Sequence, residues 1–140
     1  MPTENTSRIN GYLTPVGTDP PYDADLEDVL QWYVRNITGL PGDRVRPRWQ
    51  EKPPVQPASD VTWCAVGIVH ITSQVFPQIT HVGTDIDDPD DGYDLLIRHE
   101  KLDVMASFYG PQSQQYCAML KDGCQIPQNN DQLKPYGMAF

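Results

Sequence analysis

The chain has 140 residues, which suits one hydrophobic core and therefore one domain. Its 14 prolines exclude much of the backbone from helices and central strands, so we expect long extended loops. Lys and Arg number 10 against 19 Asp and Glu, and the net charge of -9 disfavours proteins that bind nucleic acid or anionic membranes through charge. The sequence contains neither a membrane-spanning apolar run nor a signal peptide, which predicts a protein that is made in the cytoplasm.

The N-terminal part of the chain predicts an arm followed by a helix. Residues 1–22 contain four prolines and several small polar residues, so we expect an extended arm with one short strand at Ile9–Leu13. The segment Asp23–Thr38 places apolar side chains at helical spacing and acidic ones in the first turns, which predicts an amphipathic helix. Gly39 suits the C-terminal end of that helix, and Pro41 prevents its continuation.

The middle of the chain predicts strands. Arginines alternate with Val, Pro and Trp over Asp43–Gln50, as in a strand with one polar face, and Pro47 places this strand at an edge. Residues 51–60 are rich in proline and predict a surface loop or extended arm. The β-branched run Trp63–Ile71 predicts a central strand, and the period-2 alternation over Tyr93–Tyr109 predicts a long strand beside it.

The remaining segments predict a turn, a second helix and a short helical piece. Val75–Gly83 is expected to be extended, and residues 84–94, which contain six aspartates, are expected to form a turn. Gln112–Gln125 follows a proline and predicts a helix with one apolar face, and residues 127–135 predict a turn and a short helix.

These elements predict an α+β fold with a small mixed or antiparallel sheet, flanked by two helices and carrying proline-rich extended arms. Residues 23–140 are expected to form one domain after the arm at residues 1–22.

Candidate chemical sites in the sequence are weak. The aspartate cluster fails the calcium-loop spacing, because Pro89 and Arg98 occupy the third and twelfth positions counted from Asp87, so an acidic hairpin tip is the favoured interpretation. The histidines and cysteines lack zinc-site spacings, and Cys64 lies in an apolar run that raises a thiol pKa. We therefore expect no catalytic activity, no metal and no cofactor.

Two charged segments are candidate interfaces. One is the arginine stripe, Arg44, Arg46 and Arg48 with the adjacent Trp49, although a solvated strand face is an equally simple interpretation. The other is the acidic cluster, which consists of Asp85, Asp87, Asp88, Asp90 and Asp91. A basic and an acidic surface on one chain can meet head-to-tail between identical subunits, and such contacts close into a ring if the rotation allows it.

Several blocks of the sequence resemble the neck-terminator-like proteins of contractile-tailed phages. They are ITGLPGDRVRPRWQ at 37–50 with the prolines at 53–54, WCAVGI at 63–68, RHEKLDVMASFYGPQSQQY at 98–116, and LKDGCQIPQNN at 120–130. The blocks are spread over residues 37–130, in the order in which the family has them.

The resemblance implies a structural virion protein that is assembled in the host cytoplasm. It implies a homo-oligomeric ring, hexameric as in tail terminators, that joins the tail tube and sheath to the head-to-tail connector. DNA would pass through its lumen without sequence-specific binding. The alternatives are a small non-enzymatic protein-binding adaptor module and another component of the neck or of head completion.

Overall fold

Helices, a mixed sheet and a separate hairpin make up the computed structural model, which describes residues 10–16, 22–73, 75–83 and 92–140. Its elements in chain order are α1 (Asp23–Thr38), β1 (Val45–Pro47), β2 (Trp63–Ser73), β3 (Gln78–Val82), β4 (Tyr93–Ile97), β5 (Glu100–Tyr109), α2 (Ser113–Gly123) and α3 (Pro127–Asp131). The α+β fold class predicted from the sequence is confirmed. Within the described ranges, no helix has the length and apolar character needed to cross a membrane.

Helix α1 has the bounds that its periodicity predicted. Gly39 ends it in the left-handed conformation with φ 73°, and its N–H donates to the carbonyl oxygen of Arg35 at 2.8 Å. Thr38 supports this end, because its hydroxyl donates to the carbonyl oxygen of Val34 at 2.7 Å. Its buried side chains include Leu26, Val29, Leu30 and Val34, of which Leu30 and Val34 belong to the core cluster shared with the sheet.

The main sheet has three strands in the order β1-β2-β5. Strand β1 runs parallel to β2, and β5 runs antiparallel to it, so the sheet is mixed. Strand β1 lies at an edge, as Pro47 indicated, but it covers only Val45–Pro47 rather than the whole of Asp43–Gln50. Its brevity is consistent with a proline at its last position, since proline cannot donate to the sheet.

The hydrophobic core lies between one face of this sheet and the two longer helices. Its buried members are Leu30, Val34, Leu40, Val45, Cys64 and Val66, and Ile68, Ala106, Phe108, Tyr116 and Leu120 pack against them. Helices α1 and α2 approach closely at Gly123, where a Cβ atom would lie 2.2 Å from Cγ2 of Ile37. Helices therefore cover one face of the sheet, and no described helix covers the opposite face.

Strands β3 and β4 form a hairpin of their own, with every residue of both strands exposed. The prediction of one long strand over Tyr93–Tyr109 was wrong, because the strand is interrupted at Arg98 and His99 and its first part pairs with β3 instead of β2. The predicted turn at 84–94 lies mostly outside the described residues, and its last two positions belong to β4.

The predicted short strand at Ile9–Leu13 was also wrong over the part that the structure describes. Residues 10–13 form no strand, and they pair with neither sheet. The segment contains Gly11 with φ 139°, a conformation that side chains rarely adopt and that interrupts regular extended pairing.

Candidate interaction surfaces

The open face of the three-stranded sheet carries a cleft of about 550 Å³, here called the aromatic cleft. Its floor is formed by side chains of β1, β2 and β5, and its outer wall is the proline-rich segment that follows β1. The residues that define it are Arg46, Arg48, Trp49, Pro53, Trp63 and Tyr109.

Trp63 and Tyr109 form the aromatic part of the floor. They are direct cross-strand partners of β2 and β5, and their rings stack with centroids 4.6 Å apart and an interplanar angle of 23°. The guanidinium of Arg46 lies 5.8 Å from the Trp63 ring centroid, a cation–π distance. The same guanidinium donates to the carbonyl oxygens of Asp43 at 3.1 Å and Val55 at 3.0 Å, so it ties the proline-rich wall to the sheet.

Arg48 crosses the middle strand of the sheet at a glycine. A Cβ atom on Gly67 would lie 2.8 Å from the Cβ of Arg48, so only glycine leaves room for this crossing. The guanidinium then reaches β5, where it donates to the hydroxyl of Ser107 at 2.9 Å. It also lies 5.7 Å from the ring centroid of Trp49, whose side chain is 67% exposed at the mouth of the cleft.

The structure brings together three of the predicted interface residues. Arg46, Arg48 and Trp49 line the aromatic cleft, whereas Arg44 belongs to the 3-10 turn at Gly42–Arg44 and does not line it. Among the described residues, no carboxylate forms a salt bridge with Arg46 or Arg48, so their charges are not neutralised within that part of the chain. The predicted acidic residues Asp85, Asp87, Asp88, Asp90 and Asp91 lie outside the described residues.

Sequence analysis missed the roles of Trp63 and Tyr109. Each was assigned to a strand end, and the antiparallel pairing that joins the two ends was the missing information. Two aromatic residues at opposite ends of neighbouring strands are a recognisable signal, because antiparallel pairing places such ends side by side.

A second surface is the apolar face of the hairpin, defined by Val82, Tyr93, Leu95 and Ile97. The register pairs Val82 with Tyr93, Thr80 with Leu95, and Gln78 with Ile97, and alternate residues of a strand share a face. All four apolar side chains are exposed to solvent. The other face carries Ile79 and Leu96 beside a contact between His81 and Asp94.

The cysteines do not suggest a reactive site. Cys64 is 0% exposed, and burial, with a smaller effect of Cys117, raises the pKa of its thiol from 9.0 to about 12. Burial likewise raises the pKa of the Cys124 thiol, while Cys117 is exposed. Within the residues that the structure describes, no three His, Cys, Asp or Glu side chains are grouped as metal ligands would be.

Comparison with known proteins gives one match. A family model described as phage neck terminator protein matches residues 24–140, which include both sheets and all three helices apart from the first residue of α1. No curated protein and no solved structure matches the chain.

Proposed function

The chain belongs to the phage neck terminator protein family, and on this premise we propose that it forms a homo-oligomeric ring at the head-proximal end of a contractile tail. The family assigns it a structural role in the neck of the virion. In the proposal, the ring has six subunits and joins the tail tube and sheath to the head-to-tail connector.

The hairpin is the observation that supports self-assembly most strongly. A two-stranded sheet is marginally stable in water, and this one exposes four apolar side chains on a single face: Val82, Tyr93, Leu95 and Ile97. Complete burial of a fully exposed Val, Leu or Ile side chain is worth roughly 1.5–3 kcal/mol, and burial of the part of each of these side chains that is still exposed contributes a fraction of that. A neighbouring copy of the chain, placed against this face by ring symmetry, would supply that burial in every subunit.

Charge is proposed to set the register between subunits. Arg44, Arg46 and Arg48 on one copy would face acidic residues on the next, either in the 85–91 cluster or in the first turns of α1. Contacts of this kind contribute more to specificity and orientation than to affinity. The net charge of -9 would keep DNA from adhering to the ring during passage through its lumen.

A pair of matched double variants tests the assembly. Leu95→Ser with Ile97→Ser removes apolar area from the apolar face, and Ile79→Ser with Leu96→Ser removes a similar area from the other face. Sedimentation velocity gives the oligomer mass, and thermal unfolding followed by circular dichroism verifies that each subunit is folded. The first pair is expected to weaken assembly at least tenfold more than the second. A loss of about 1.4 kcal/mol of binding free energy at each subunit contact lowers the association constant about tenfold.

A parent protein that remains monomeric at virion-like concentration and salt would contradict the ring and favour the adaptor alternative. Equal assembly by the parent and the Leu95→Ser, Ile97→Ser variant would show that the hairpin is not the subunit contact.

A further inference from the structure

The aromatic cleft has the composition of a peptide-binding groove. Its floor and mouth present Trp49, Trp63 and Tyr109, and aromatic-lined grooves bind extended, proline-containing segments because such segments are already restricted in conformation. Arg46 donates to the carbonyl oxygen of Val55 and Arg48 donates to the hydroxyl of Ser107, so both guanidinium groups are held in position before any ligand binds. Its charge is positive on the described side chains, since Glu51 and Lys52 in the adjoining segment offset each other.

The N-terminal arm has the complementary composition. Tyr12 is 91% exposed, Val16 is 84% exposed and Leu13 between them is 57% exposed, so most of the surface of these three apolar residues faces solvent. Pro15 restricts the segment to an extended backbone in its neighbourhood. The chain from residue 9 to residue 34 contains no Lys or Arg, and it carries five acidic residues, Asp19, Asp23, Asp25, Glu27 and Asp28.

We propose that the aromatic cleft of one subunit binds the N-terminal arm of a neighbouring copy, with Tyr12, Leu13 and Val16 seated beside Trp49 and Tyr109. Asp23 and Asp25, in the first turn of that copy's α1, then lie near Arg46 and Arg48, whose charges no described carboxylate neutralises. This inference rests on the proposed ring, because it names a second copy as the partner.

A neighbouring copy fits better than the same chain. In the described structure, the apolar side chains of the arm are exposed, and none of them lines the cleft of its own domain. Exchange of an arm between identical subunits also requires no new surface on another protein.

The test uses the full chain with a photoreactive p-benzoylphenylalanine in place of Tyr12. Unlabelled and ¹⁵N-labelled copies are mixed, irradiated and digested, and mass spectrometry identifies both the peptide that is attached and the isotopic origin of each partner. We expect attachment between copies, to the peptides that contain Trp49, Trp63 or Tyr109. The oligomer mass is measured on the same sample before irradiation.

Two single substitutions provide a matched comparison in the same experiment. Trp49→Ser removes an exposed aromatic ring from the cleft, whereas Val55→Ser removes an exposed apolar side chain that does not line the cleft and leaves the carbonyl oxygen of that residue in place. Trp49→Ser is expected to lower the yield of attachment between copies about tenfold, as for the loss of an aromatic contact with the arm, and Val55→Ser is expected to leave it unchanged.

The outcomes separate this inference from the proposed function. Oligomers whose attachment maps to another surface, or to the cleft of the same copy, overturn the arm exchange while the ring stands. Monomers without attachment between copies overturn both. A yield that falls equally in Trp49→Ser and Val55→Ser also overturns the arm exchange, because the aromatic ring would then have no special role.

Discussion

Arg48 passes over Gly67 so closely that a Cβ atom at position 67 would lie 2.8 Å from the Cβ of Arg48. This crossing allows a residue that follows an edge strand to donate across the middle strand to Ser107 on the opposite edge. One glycine therefore determines where the charge of Arg48 lies beside the aromatic cleft.

The first prediction concerns this glycine. Gly67→Ala should destabilise the protein by about 1–3 kcal/mol. The added methyl group would overlap the Cβ atom of Arg48, and a change of side-chain rotamer cannot move a Cβ atom away. Gly83→Ala, where no atom lies within 4 Å of the added methyl group, should change stability by no more than about 0.5 kcal/mol. Urea denaturation measures both.

Arg48→Gly removes the Cβ atom in question and provides a further control. The double variant Gly67→Ala with Arg48→Gly should cost less than the sum of the two single variants. If the two stability costs are strictly additive, contact with Arg48 is not the reason that position 67 requires glycine.

The second prediction tests the packing of α1 on the sheet. Leu30→Ala should lower the free energy of unfolding by about 2–5 kcal/mol, because Leu30 is buried in the core cluster. Leu120→Ala should cost less, since that side chain is only partly buried. Val55→Ala serves as the exposed control, and a cost for Leu30→Ala that is no larger than the control's would refute the packing.

Sequence reasoning predicted local elements better than pairings. The bounds of α1 followed from its apolar periodicity and from Gly39, which are both local signals. The alternation over Tyr93–Tyr109 is equally regular, but it does not indicate which strand pairs with it. The strand is divided at Arg98 because its first part, β4, pairs with β3. Alternation alone therefore merged two strands of different sheets.

The candidate site shows the same limit. Alternation separated Arg46 and Arg48 from the core residue Val45, but it also grouped Trp49 with Val45, and Trp49 lines the cleft. The partners of the two arginines could not be predicted, because Ser107 is 59 residues away from Arg48 in the sequence and meets it only through the sheet. The carbonyl oxygen of Val55 likewise carries no side-chain signal that would indicate its bond to Arg46.

The third prediction concerns the thiols. At pH 8, the native protein should react rapidly with a thiol reagent such as Ellman's reagent at Cys117, which is exposed, and slowly at the buried Cys64 and Cys124. Denaturant should expose all three, and Cys117→Ser should abolish the rapid phase. Rapid reaction of Cys64 in the folded protein would contradict its position in the core.

The fourth prediction concerns alkaline pH. The pKa of Cys64 is raised from 9.0 to about 12 in the folded chain, so the unfolded chain loses this proton first and is favoured as the pH rises. The contribution of this group to stability is complete below pH 9 and falls between pH 9 and 12, by at most about 1.4 kcal/mol per pH unit. Cys64→Ala should show a shallower decline in urea denaturation over this range, and an identical decline would exclude Cys64 as its source.

Reconstruction of the intact virion neck by electron cryomicroscopy tests the central claim most directly. The account predicts a closed ring of copies of this chain at the head-proximal end of the tail, with the apolar face of each hairpin, Val82, Tyr93, Leu95 and Ile97, buried against the adjacent copy. A single copy per virion, a location away from the junction of neck and tail, or hairpins whose apolar faces are exposed to solvent would contradict it.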